Sequence, residues 1–342
     1  MRALRHSNHA TSTLAAGLAI GIAALAAHAP ARAADFTLKI GVAGAEDTEH
    51  NYAKALKAVV EDKSKGRIEV KIFPRNTLGS QSAIIQGMQF GTIEGLVTPA
   101  DFYSGIDPRM GVLSFPFLFK DRAHANRVLA NKALADKIAD MVTPKGIVGC
   151  GTVSTADVRY MARNPIRKIA DFNGLKLRIN GTDAERERFR RLGATSVAMN
   201  LPDMITALQN KTIDGSGSGI TIWVNFNLET VSKELLIIED ALINSFCGLS
   251  KKWLDTLPAD LRQMVITETR ALFPKGVQLS NEFNVLLTKK WEDRGGKFNR
   301  LSAAEQEEIR KKLANVGEVV TNGKPDARAF YNDIKAISDK TQ

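Results

Sequence analysis

The sequence predicts an α/β protein of two domains that face each other across a cleft. Segments with the period-2 alternation of strands alternate with amphipathic helical segments through most of the chain. About 309 of the 342 residues follow a distinct N-terminal stretch, more than one hydrophobic core comfortably organises. No fixed-period repeat, low-complexity tract or long linker interrupts them, so the domains are expected to be joined by short crossings. In open α/β sheets the ligand crevice lies beyond the carboxyl ends of the strands, which puts a shared cleft between two such domains.

Residues 1–33 differ from everything after them. Arg2 and Arg5 precede the apolar run LAAGLAIGIAALAA, which ends near APARA, where Ala31 and Ala33 form the A-x-A pattern of a signal peptidase site. The run is shorter than the roughly 18 to 20 residues that cross a bilayer, and no second one follows. A cleaved signal peptide and export to a Gram-negative periplasm are therefore expected. The only cysteines, Cys150 and Cys247, are far from the cleavage site, so a lipoprotein is not. The stretch holds three arginines and no acid, so its removal takes the formal charge from +10 to +7. Without a dense Lys/Arg run interleaved with aromatics, that mild excess suggests a bias toward anionic ligands and no nucleic-acid partner. Cys150 and Cys247 lie 97 positions apart; spacing alone leaves a disulfide and two buried thiols both open.

FTLKIGVA and RIEVKIF read as strands, with NYAKALKAVVEDKSKG between them as a helix ended by Gly66; TIEGLV and GIVGCGTVS continue the first layer. VRYMAR, LKLRIN, TSVAM and TIDGSGS give a second set of short strands, with DAERERFRRLG and PDMITALQNK as helices among them. Helices then follow. LPADLRQMVITETRALF should be kinked or divided from what comes next by Pro274 and Gly276. SAAEQEEIRKKLANV opens with the capping box Ser302-x-x-Glu305.

In GLKLRI, Leu175, Leu177 and Ile179 fall on one face and Lys176, Arg178 and Asn180 on the other. A polar face in an otherwise buried layer is accounted for if it borders the cleft, where the planar fork of Arg178 is suited to a carboxylate.

Catalytic patterns are weak. DGSGSG, residues 214–219, lacks the spacing of a phosphate loop, and Gly217 stands where a nucleophile elbow needs serine; a binding turn with exposed N–H donors is the sharper reading. Cys150 as nucleophile would need a histidine base, and after residue 33 only His50 and His124 remain. His50 reads as a helix-cap residue and His124 as part of a polar helix face. No C-x-x-C or H-x-x-x-H spacing suggests a metal site. Glu46 and Asp47 adjoin in an exposed-looking segment and point apart, unlike a glycosidase pair. Trp223, in ITIWVNF, fits either the core or a cleft wall for a flat ligand.

The span GLKLRINGTDAERERFRRLGATSVAMNLPDMITALQNKTIDG resembles the signature region of the solute-binding proteins of tripartite ATP-independent periplasmic (TRAP) transporters. In that family a strand ending in arginine leads to a helix, an LGA turn, a short strand, an ALQ helix and a DG loop. GRIEVKIFPRNTLGS, SFPFLFKDRAHANRVL and LSKKWLDTLPADLRQMV extend the likeness, in the family's order, over nearly the whole exported chain. The resemblance implies a two-domain periplasmic solute-binding fold, type II-like, with domain I at 34–156 plus about 245–283 and domain II at about 157–244 plus about 284–342. The resemblance also implies a receptor that closes over a small organic carboxylate and hands it to membrane permease subunits, with no cofactor and no chemistry of its own. A binding module of another transport or sensory system is the alternative, and an exported enzyme a distant third.

Residue by residue, Arg178 matches the family arginine that pairs with the ligand carboxylate, and Arg159 falls within one residue of a second arginine found in many members. Ser218 stands where many members carry a ligand-touching asparagine, which leaves more room. Pro99 stands near a position that is acidic in sialic-acid binders, so sialic acid is not expected. By spacing, Gln81 and Phe102 fall in cleft-lining loops. With Phe102 and Trp223 as walls and two arginines as anchors, an aromatic or medium-sized carboxylate is the expected ligand.

Overall fold

The computed structural model describes residues 33–342. The expected signal peptide lies outside the described residues. Nine strands form one sheet: β1 (Phe36–Val42), β2 (Ile68–Phe73), β3 (Gly95–Pro99), β4 (Ile147–Ala162), β5 (Lys176–Ile179), β6 (Thr195–Ala198), β7 (Gly215–Ser218), β8 (Glu234–Ser250) and β9 (Lys297–Arg300). Their order is β2-β1-β3-β8-β4-β7-β5-β6, with β9 beside β8.

Strand directions make the cleft. β1, β2 and β3 are mutually parallel, as are β5, β6 and β7. Between the two groups run the long antiparallel strands β4 and β8, and because β3 is antiparallel to β8 and β7 to β4, the second group points opposite to the first. Pro99, which ends β3, pairs with Ser245, itself opposite Val153 of β4; Ser218, which ends β7, lies opposite Arg159. The carboxyl ends of both groups thus meet over the short stretch of β4 between Val153 and Arg159. The register of β4 against β8 slips there twice, at Ser154/Ala156 and Asp157/Arg159, as bulges do where a sheet changes direction.

GIVGCGTVS and VRYMAR, expected as separate strands, are one continuous β4. The long β8 and the short β9 have no counterpart in the expected strands. Burial explains this for β8: ELLIIEDALINSFCGLS is buried on both faces along much of its length, which erases the alternation that marks a half-buried strand. ITIWVNF becomes a short helix, Ile220–Asn225.

The helix expected to end at Gly66 runs Thr48–Lys63, and Gly66 adopts a φ of 74° in the turn beyond it. The Ser302 capping box forms with Glu305. Helix Ala259–Arg270 ends before Phe273–Asp293, whose first turn holds Pro274, so the division falls at 271–272. Gly276 continues the second helix and lets it lie against Tyr52 and Val153, where an added Cβ would come 2.8 Å from a Val153 methyl.

Apolar side chains gather on both faces of each strand group. Leu38, Ile40, Leu56 and Val265 are fully buried in the first half, Leu177, Ile179, Phe172 and Leu313 in the second. Cys150 and Cys247, neighbours across β4 and β8, form a disulfide, which decides between the two states the spacing left open. His124 corrects an expectation. It is 1 % exposed, its Nδ1 accepts from the Lys120 N–H, and its Nε2 lies 3.1 Å from the Ser338 carbonyl, so it ties the C-terminal helix down rather than facing solvent.

Candidate functional site

A cleft opens where the two sets of strand ends meet, its empty space about 640 Å³ with the open mouth counted. One wall carries Ala43 and Gly44, just past β1, Asp47 and Glu49 at the following helix start, Gln81, Pro99 and Phe102. The other carries Arg178, Asn180, Leu201, Ser218 and Thr221, with Thr155, Ala156 and Ile243 of the crossing strands between them. A side chamber shares Pro99, Asn180, Ser218 and Ile243 and continues past Asp101, Glu185 and Arg188.

Arg178 lies on β5, held between β6 and β7. It is 4 % exposed, and its one side-chain hydrogen bond among the described residues runs from Nε–H to the Met199 carbonyl at 2.9 Å. Burial pulls its proton affinity below the ordinary arginine value, against the attraction of Glu185 and Asp101, yet a guanidinium retains its charge. A buried cation with no carboxylate bonded to its fork is costly unless something supplies the partner.

The opposite wall is acidic. Asp47 caps helix Thr48–Lys63, accepting the His50 N–H at 2.8 Å, and is 3 % exposed; burial, reinforced by the charge of Glu46, pushes its carboxyl up to about 6. The exposed-looking Glu46–Asp47 pair is therefore half wrong, since only Glu46 faces solvent. Glu49 keeps a partly open surface toward the cleft and accepts from Ser245 Oγ at 2.5 Å, which in turn lies 2.8 Å from Thr155 Oγ1. Burial and then the charge of Asp47 push Glu49 up to about 8. Asp101, buried and then opposed by Glu185, is pushed up to about 7, with Asn180 Nδ2 at 3.5 Å, Arg178 and Arg188 pulling the other way.

Four of the six sequence-predicted residues, Arg178, Gln81, Phe102 and Ser218, come together on the cleft. Gln81 is 2 % exposed, at the first turn of helix Gln81–Phe90, and its Oε1 has no protein partner among the described residues. Trp223 does not reach the cleft surface: fully buried among Met161, Met204 and Trp291, it donates its indole N–H to the Ser218 carbonyl at 3.2 Å and so supports the wall from behind. Arg159, opposite Ser218 in register, turns its guanidinium to Thr288 Oγ1 at 3.2 Å and over the Phe298 ring at 4.8 Å, while its neighbour Val158 borders the side chamber. Sequence reasoning passed over Asp47, Glu49, Asp101 and Asn180. The available clue was an acid-rich stretch, EDTEH, placed directly between a strand end and an amphipathic helix.

Among the described residues no group of three His, Cys, Asp or Glu is arranged to hold a metal, and no helix is long and apolar enough to cross a membrane.

Comparison with known proteins agrees with this architecture. The family model of bacterial extracellular solute-binding protein, family 7, matches residues 41–322. The chain is 29 % identical over 255 residues to a 2,3-diketo-L-gulonate-binding periplasmic protein of Escherichia coli, covering 74 % of this chain and 77 % of that one. It is 24 % identical over 217 residues to a C4-dicarboxylate-binding periplasmic protein of Vibrio cholerae, covering 61 % and 63 %. In fold it resembles a TRAP periplasmic solute-binding protein from Xanthobacter autotrophicus, solved with bound β-D-galacturonate, at a TM-score of 0.82 and 21 % identity over 89 % of this chain and 100 % of that one. A second, from Desulfovibrio salexigens with bound orotic acid, gives 0.80 and 22 % over 88 % and 99 %. With the matching family model spanning most of its length, the chain belongs to family 7 of the bacterial extracellular solute-binding proteins, the receptors of TRAP transporters.

Proposed function

We propose that the protein binds a small organic carboxylate in this cleft, in the periplasm after loss of residues 1–33, and delivers it unchanged to the membrane permease of a TRAP transporter. The observation that carries the reading is Arg178: a nearly buried guanidinium on the cleft wall with its Nε committed to Met199 and its fork without a carboxylate. A bidentate, charge-assisted pair there gives affinity and direction together. Gln81, Phe102 and Ser218 are the proposed further contacts, with Trp223 and Arg159 acting from behind the wall. The structural relatives solved with bound galacturonate and orotic acid hold small carboxylates of this kind.

The bodies that close are proposed to be 34–156 with about 245–283, and about 157–244 with about 284–342. Helix Phe273–Asp293 straddles that division and is fastened at the crossing, where Ser280 Oγ donates to the Ser154 carbonyl at 2.9 Å and Asn284 Nδ2 to the Thr155 carbonyl at 2.6 Å. Ligand contacts from both bodies favour the closed state, which the permease would read.

The test is the melting temperature of chain 34–342 with aliphatic, keto, sugar and aromatic carboxylates. A ligand that binds only the native state raises it by mass action. One carboxylate class should shift it upward, and Arg178→Ala should abolish the shift; an Arg178→Ala protein with full affinity would overturn the reading.

A further inference from the structure

The two walls of the cleft carry opposite chemistry. Arg178 is the cation of one; Asp47 and Glu49 lie on the other and Asp101 in the side chamber, with no lysine or arginine bonded to any of the three among the described residues. Arg188 is the base that borders the side chamber, and it is already committed to Tyr160 Oη at 2.8 Å and to Asp240 at 3.4 Å. Two buried acceptors here, one in the side chamber and one on the cleft wall, have no protein partner among the described residues: Asp101 Oδ1, in a residue 7 % exposed, and Gln81 Oε1, in one 2 % exposed. A buried acceptor left without a donor costs free energy, so this wall calls for hydrogen-bond donors from whatever occupies the cleft.

We propose that the cleft is two-ended: Arg178 takes the ligand's carboxylate, Glu49 and Gln81 with their acidic neighbours take a hydroxyl or ammonium donor at its far end, and dicarboxylates are refused. This rests on the carboxylate-receptor reading above and narrows its substrate class. The refusal is electrostatic. A ligand carboxylate set there adds one more acid to a buried cluster whose members cannot all ionise, so it enters only by taking up or sharing a proton, a cost that a hydroxyl or ammonium does not meet. Specificity then comes from a built-in repulsion as well as from a fitted contact. Glu49 can serve either donor, accepting from a hydroxyl or pairing with an ammonium, and Ser245 and Thr155 fix its orientation from behind.

The test is calorimetric titration of chain 34–342 with matched acids: D-gluconate against D-glucarate, which differ only in a terminal hydroxymethyl or carboxylate, and 6-hydroxyhexanoate and 6-aminohexanoate against adipate. The expected result is at least tenfold tighter binding of the hydroxyl or amino member of a set than of its dicarboxylate. The two six-carbon donors tell hydroxyl from ammonium. Glu49→Gln, which removes the ionisable carboxyl and puts an amide donor in its place, should narrow the ratio at least threefold. Equal or tighter binding of the dicarboxylates overturns the proposal, and so does a ratio that Glu49→Gln leaves unchanged; the wild-type comparison stands even if that variant folds poorly. Arg178→Ala separates the two levels. If it abolishes binding of acids that wild type takes regardless of their far end, the receptor reading survives and the two-ended cleft does not; if no acid binds wild type, both fall.

Discussion

Arg178 donates its Nε–H to the Met199 carbonyl at 2.9 Å, across the gap between the ends of β5 and β6. That bond fixes the guanidinium plane before any ligand arrives and leaves both terminal nitrogens for one carboxylate. Replacing Arg178 by Ala should weaken carboxylate binding by about 2–5 kcal/mol, the usual loss when one partner of a desolvated, hydrogen-bonded pair is removed. Arg178→Lys keeps the charge and loses both the fork and its brace, so it should recover only part of that loss in the same titration. Arg178→Met removes a buried cation without a bonded counter-ion, and the ligand-free protein should melt no lower than wild type. A clear drop in melting temperature would mean the guanidinium is needed for the fold itself.

Arg159 and Trp223 give a contrasting test. Arg159 is bonded to Thr288 and stacked on Phe298, and Trp223 is fully buried behind Ser218. Arg159→Gln should therefore change ligand affinity less than about threefold, well under the roughly tenfold that 1.4 kcal/mol represents. Trp223→Phe deletes the N–H to the Ser218 carbonyl and leaves part of the indole's volume empty in a fully buried site, so the cost should be about 2 kcal/mol or more in stability with a smaller effect on binding. A loss of affinity in Arg159→Gln comparable to Arg178→Ala would show that closure brings this arginine onto the ligand.

Arg178 and Arg159 also mark where sequence was legible. Arg178 could be singled out because period-2 alternation put a cation on the polar side of an otherwise apolar strand. Alternation also put Arg159 on a strand, but whether a long side chain there turns to the cleft or to a helix depends on what packs beside it, and Phe298 lies on β9, a strand with no clear pattern of its own. The crossing strands were hard to see for a related reason. β4 and β8 serve both halves, so each reads as two segments or as none. The acids of the opposite wall were hidden by their type, since Asp47 and Glu49 in a polar stretch look solvated until the fold closes Pro99, Phe102 and β8 around them.

The acidic wall predicts a pH dependence for the ligand-free protein. Asp47, Glu49 and Asp101 are pushed up to about 6, 8 and 7, whereas in the unfolded chain such groups titrate near about 4. Each holds its proton more tightly folded than unfolded. Their contribution is therefore fully present below about pH 4, declines as pH rises through the window from about 4 to 8, and is lost above it. Glu49→Gln cannot ionise, so its melting temperature relative to wild type should rise between pH 5 and pH 8.5. A difference that stays constant across that range would show that Glu49 does not carry the effect.

The Cys150–Cys247 disulfide closes a loop with a sequence separation of 97 and joins β4 to β8 in the first half of the sheet. Neither cysteine lines the main cleft. Replacing both by Ala should lower stability by about 2–4 kcal/mol, chiefly by freeing the unfolded chain, while ligand affinity stays within about twofold. Denaturant titration and calorimetry on the same double variant measure the two quantities separately.

Gly215 tests whether the cleft depends on how closely β7 can approach β4. It sits opposite Ala162, and a Cβ added there would come 1.9 Å from the Met161 carbonyl oxygen, a backbone atom that no rotamer change can move aside. Gly215→Ala must therefore displace the strand, at a cost of about 3 kcal/mol or more. Because β7 carries Ser218 onto the cleft and pairs with β5 beside Arg178, the displacement should weaken binding as well as stability. Gly217, two residues on, is a milder control: an added Cβ would meet the Tyr160 ring edge at 2.9 Å and a Val158 methyl at 3.2 Å, side-chain rather than backbone atoms. If Gly215→Ala melted like wild type, or bound ligand unchanged while Gly217→Ala did not, the close β4–β7 contact could not be what holds this wall of the site in place.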